Sequence, residues 1–75
     1  MKTLNYIQAQ NAAKEIEKSL INLDKNSKLL QVKGLIECAR KNFAWAMEKT
    51  NQYEIQYTSL LITELCELEY KIYAD

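Results

Sequence analysis

The sequence predicts an all-α chain: an antiparallel three-helix hairpin or bundle that assembles as a homo-oligomer. Three observations carry this. The 75 residues include no Pro and one Gly, with 48% apolar residues, so little in the chain interrupts a helix. Apolar residues recur three and four apart in three successive segments. Two polar breaks, at 24–27 and 50–54, part those segments, and connections that short return the next helix antiparallel to the last. One domain spans 1–75, with helices expected at about 3–23, 28–50 and 52–73.

In the first helix, from about Thr3 to Leu23, the residues Tyr6, Ala9, Ala13, Ile16, Leu20 and Leu23 are spaced 3, 4, 3, 4, 3. That is a single seam, with Lys14, Glu15, Glu17 and Lys18 outside it. Ala9, Ala12 and Ala13 are small, so a partner helix can approach closely there. In the first break, Asp24-Lys25-Asn26-Ser27, either Asn26 or Ser27 can cap the second helix.

The second helix has its own seam, Leu29, Val32, Ile36, Ala39, Phe43 and Ala46. At about 100° per residue, Trp45 falls on the far side of the helix from it. Gly34 and Cys38 lie close to Trp45 in angle, with Lys41 and Lys49 one turn away on either side. Gly34 costs about 1 kcal/mol inside a helix, which suggests a close backbone approach or a slight kink. In the second break, Asn51 and Glu54 have capping-box spacing. Without Gly or Pro there, one kinked helix through 48–54 is an alternative to two separate ones.

The third helix carries two apolar stripes: Tyr57, Leu61, Leu65, Leu68, Ile72, and, about 120° round, Ile55, Ile62, Cys66, Tyr73. One helix of an isolated bundle needs a single broad stripe. The second stripe and Trp45 therefore point to burial against copies of the same chain. The expected interface residues are Gly34, Cys38, Trp45, Ile55, Ile62, Cys66 and Tyr73. Size argues the same way, because a chain this short buries only about 60% of its unfolded surface and usually needs a staple, a metal or a partner.

The composition narrows the chemistry. With no His, imidazole acid–base and triad mechanisms are excluded, and one Gly excludes a Gly-rich phosphate loop. Cys38 and Cys66 form no C-x-x-C pair and cannot alone complete a structural zinc site. Lys41 stands three residues from Cys38, yet a lone Cys of this kind is more often structural than nucleophilic. Glu64, Glu67 and Glu69 read as a solvated face before they read as a carboxylate pair or metal site. The expectation is a chain without catalysis, metal or cofactor. No apolar run approaches the roughly 18 residues of a membrane span, and no signal-like segment opens the chain, so a cytoplasmic protein with reduced thiols is expected.

Net charge is zero, but its distribution is uneven: 25–50 carries +4 and 51–75 carries −4. The basic middle helix either attracts the acidic last one or meets an anionic ligand. Lys41, Trp45 and Lys49 form a ladder of cation, aromatic plate and cation at i, i+4, i+8. A base stacked on Trp gains about 1–3 kcal/mol while ammonium groups hold phosphates. The plainer reading is that Trp45 anchors a subunit interface and the lysines fringe it. The two readings agree if a ligand sits between subunits.

Residues 39–47, Ala-Arg-Lys-Asn-Phe-Ala-Trp-Ala-Met, and 58–67, Thr-Ser-Leu-Leu-Ile-Thr-Glu-Leu-Cys-Glu, resemble a family of very small phage proteins. These are the helical-hairpin sponges that sequester cyclic-oligonucleotide signals of bacterial defence (anti-CBASS sponges, with a hairpin shared by anti-Thoeris sponges). The resemblance implies a non-catalytic helical homo-oligomer that binds cyclic di- or trinucleotides where subunits meet. The family pattern also implies an Arg near the start of the last helix, where this chain has Glu54-Ile55-Gln56-Tyr57. No binding residue is carried over from the family; Lys41, Trp45 and Lys49 come from the ladder alone. The rival expectation is a protein–protein module, an inhibitor or small regulator that docks an apolar helix face on a host protein. Long nucleic acid fits less well, since it needs many phosphate contacts and the acidic last helix opposes them.

Overall fold

The computed structural model describes residues 4–75. It contains three helices: α1 (Leu4–Ser19), α2 (Lys25–Glu48) and α3 (Gln52–Ala74). The expected first residue of helix one, Thr3, lies outside the described residues. The chain breaks between α2 and α3, so the alternative of one kinked helix is not what it adopts.

Each boundary has a local cause. α1 ends earlier than its apolar spacing suggested. The amides of Leu20, Ile21 and Leu23 bond to carbonyls three residues back, which tightens and closes the helix. Leu20 still reaches the core, whereas Leu23 is exposed. α2 starts three residues earlier than expected, because Asp24 is its cap in place of Asn26 or Ser27. The Asp24 carboxylate accepts the Ser27 amide at 2.7 Å, and a negative charge at that end also suits the helix dipole. α2 closes on Thr50 at φ 52°. The Thr50 amide bonds to the Met47 carbonyl and the Asn51 amide to the Ala46 carbonyl, a Schellman arrangement. Asn51 then caps α3 by accepting the Glu54 amide at 3.2 Å. Only this half of the capping box forms, since the Asn51 amide is already committed to Ala46.

α3 is the middle helix of the three. α2 runs antiparallel to it, with Lys25 at one end donating to the Asp75 carbonyl. α1 runs parallel to it, with the Asn5 amide donating to Gln56 at 2.8 Å near one end and Glu17 meeting Lys71 at 2.9 Å near the other. Among the described residues, α1 and α2 do not come within 8 Å of each other between Cα atoms. The short 20–24 connection does reverse the chain, as predicted, but it does not make the two helices packed neighbours. The molecule is accordingly broad and shallow, 38 × 27 × 18 Å.

This arrangement supplies an internal reason for the two stripes of α3. Leu65 and Leu68 are buried in a cluster with Leu20, Val32, Ile36 and Ala39. Ile62, from the second stripe, packs against the same cluster on the side of α2. A central helix has two sets of neighbours within one chain, so two stripes do not by themselves require copies. The second stripe is covered only in part, since Cys66 and Tyr73 remain exposed. The α1 contact is made by small residues, Ala9 and Ala13, both buried, as their size foretold. Val32 and Leu65 are the large side chains most completely withdrawn from water, each gaining about 1.5–3 kcal/mol of transfer free energy.

Candidate ligand face and association faces

The predicted ladder stands on one face of α2. Turning about 100° per residue, Val32, Ile36, Ala39 and Ala46 face α3, which leaves Leu30, Gly34, Cys38, Lys41 and Trp45 on the outer side. All five are exposed, Leu30 at 73% and Trp45 at 53%. Lys49 follows one residue beyond the helix as its C-cap, its amide shared between the Met47 and Trp45 carbonyls. Among the described residues neither Lys41 nor Lys49 takes part in an ion pair. The structure therefore places Lys41, Trp45 and Lys49 along one exposed surface, with both ammonium groups uncommitted.

Two features of that surface work against an anion. The negative end of the α2 dipole emerges beside Lys49, and Glu37 and Glu48 lie at angles close to that of Lys41 on the same helix. A phosphate-bearing ligand must be held by the two lysines against both. The face is convex, so a base stacked on Trp45 is covered on one side only.

Gly34 corrects an expectation. A Cβ built there meets no atom within 4 Å, and α2 runs unbroken from Lys25 to Glu48. Within the chain there is no close approach, because this position points away from α3.

The seven expected interface residues do not form one surface. Gly34, Cys38 and Trp45 lie on the outer face of α2. Ile55 and Ile62 are half-buried. Cys66 and Tyr73 line a groove of about 420 Å³ between α2 and α3, together with Leu29, Lys33, Glu69 and Tyr70. Both thiols are free and exposed, but they stand on different faces. The reason is angular: Cys38 sits roughly opposite the α3 contact of its helix, whereas Cys66 flanks the α2 contact of its own.

Leu30, Lys33 and Tyr70 are surface residues that sequence reasoning passed over. Tyr70 is 75% exposed, three residues before Tyr73 and four after Cys66. That helical spacing was the available signal, and it becomes a groove only once α2 is known to lie alongside. Arg40 lines an adjoining hollow with Ile36, Cys66 and Glu69.

The other end of the molecule has a polar and aromatic character. Tyr53 and Tyr57 stack with ring centroids 6.4 Å apart, and the Tyr53 hydroxyl bonds to Gln8. These groups tie α3 to α1 and serve packing. Among the described residues, no three Cys, Asp or Glu side chains converge as a metal site requires, and no helix is long and apolar enough to cross a membrane. Compared with family models, curated proteins and solved structures, the chain finds no match.

Proposed function

We propose that this chain is a non-catalytic binding protein that assembles with copies of itself and sequesters a cyclic nucleotide, in the manner of a phage counter-defence sponge. One observation carries the reading: Trp45 stands 53% exposed on a helix face between two lysines that have no carboxylate partner. A large aromatic ring half open to water leaves unused the transfer free energy that a partner or ligand covering it would gain. A purine base is flat, stacks on indole and brings the phosphates that Lys41 and Lys49 would hold. The resemblance of 39–47 and 58–67 to the sponge family supports the same class of ligand.

The test is calorimetry against a panel of cyclic di- and trinucleotides. Stoichiometric binding without turnover is expected. Trp45→Ala should abolish it, and Lys41→Glu should weaken it at least about tenfold, with the assembled mass unchanged. No heat from any member of the panel removes the reading.

A second reading, a docking module for a host protein, has an observation of its own in the exposed Tyr70 and Tyr73. It expects nucleotides to do nothing, and one host protein to bind stoichiometrically and be lost on Tyr70→Ser.

A further inference from the structure

We propose that the face formed by α2 and α3 is where a second copy of this chain docks, about a two-fold axis passing near Lys33, Cys66 and Glu69. The proposal rests on the self-assembly part of the reading above and is independent of the nucleotide.

Two adjoining hollows, of about 420 and 280 Å³, run along this face, and both are lined by Lys33, Cys66 and Glu69. Those three residues mark its middle. The ends differ in chemistry. One carries Tyr70 and Tyr73, exposed at 75% and 71%. The other carries Arg40, the chain's single Arg. At the middle, Lys33 comes from α2 and Glu69 from α3, opposite charges that line the same groove. Among the described residues, none of Lys33, Arg40 and Glu69 forms an ion pair.

A two-fold axis that lies in the contact and runs parallel to the helices lays α2 of one chain over α3 of the copy. Lys33 then meets the copy's Glu69, and the pair occurs twice by symmetry. Leu29, which shares the groove with Tyr70 and Tyr73, packs on the rings of the copy. An isologous contact needs a patch that complements itself, and this one does so in charge as well as in apolar surface. A strongly acidic or strongly basic partner would leave half of these charges opposed. The broad 38 × 27 Å side of the molecule is also large enough for the roughly 800 Å² that each partner of a stable complex buries. Lys41 lies next to Arg40 around α2, so the proposed ligand face borders this contact.

The test measures mass by light scattering over a concentration series for wild type, Lys33→Glu, Glu69→Lys and an equimolar mixture of the two variants. Circular dichroism of each confirms the helices. The wild type should associate, and each variant alone should associate about tenfold or more weakly. The mixture should recover wild-type association, because one variant presents only acids at these positions and the other only bases. Tyr70→Ser, which leaves the charges in place, should weaken association as well. Variants that all associate like the wild type overturn the assignment of this face and leave the assembly reading standing. A wild type that stays monomeric throughout overturns both.

Discussion

At Gly34 the helix gives up side-chain and backbone order for no contact that the single chain can use. A Cβ there meets open space, and Gly in a helix interior is about 1 kcal/mol worse than Ala. Gly34→Ala should therefore raise the unfolding free energy by about 1 kcal/mol, read from the midpoint of urea denaturation, with assembly by the α2/α3 face unaffected. A drop in stability would mean that something outside the single chain approaches this position. The exposure of Trp45 was legible from helical angle alone. The clearance around Gly34 was not, because the room at a glycine depends on which neighbour faces it, and the sequence does not say that α3 lies on the opposite side. The same limit applies to Tyr70, whose groove exists only where α2 passes.

At the level of the helices, the seams and the bounds of α3 were readable, whereas the end of α1 and the start of α2 were misread. Val32, Ile36, Ala39 and Ala46 are buried as the 3, 4 spacing required. Leu23 continued that spacing in α1 but is exposed, because hydrogen bonding had already switched to the tighter pattern that closes the helix. Asp24 was passed over as a cap in favour of Asn26 and Ser27, although the first carboxylate of the break gains from the dipole as well as from the hydrogen bond. Its bond to the Ser27 amide holds the Asp24 carboxyl below its ordinary value of 3.8. A folded pKa below the unfolded one means that the cap's contribution is present above the ordinary value and is lost as pH falls through the folded one. Asp24→Asn keeps a good cap without the titration. It should flatten the fall of Tm between about pH 5 and pH 2, and an unchanged acid limb would contradict this. The other end of α2 offers the reverse case. Thr50, β-branched, occupies a left-handed position at φ 52°, which costs about 1–2 kcal/mol for an L residue. Thr50→Gly should raise stability by about 1 kcal/mol in the same denaturation assay, and a loss would show that the Thr50 hydroxyl bond to the Lys49 carbonyl matters more.

Over the whole molecule, the order of packing was the least legible property. Three amphipathic helices can close as a triangle or lie as a row, and short connections allow both. α1 and α2 each pack on α3 and leave each other alone, which uses both stripes of α3 and spreads the chain into a shallow slab. A slab of this size keeps much apolar surface in water. Leu30, Trp45, Tyr70 and Tyr73 are all more than half exposed, on two neighbouring faces. One of these faces is self-complementary in charge and the other carries the uncommitted lysines. Self-assembly on the first and ligand capture on the second is the division the account proposes.

Trp45 is the chain's single Trp, so its fluorescence reports on the proposed ligand face without a label. The most direct measurement is therefore a titration of wild-type emission with cyclic di- and trinucleotides. Quenching by at least one of them is expected, saturating at a fixed ratio of ligand to chain and absent in Lys41→Glu at the same concentrations. Emission unchanged by every nucleotide, from protein shown to be folded, would contradict it.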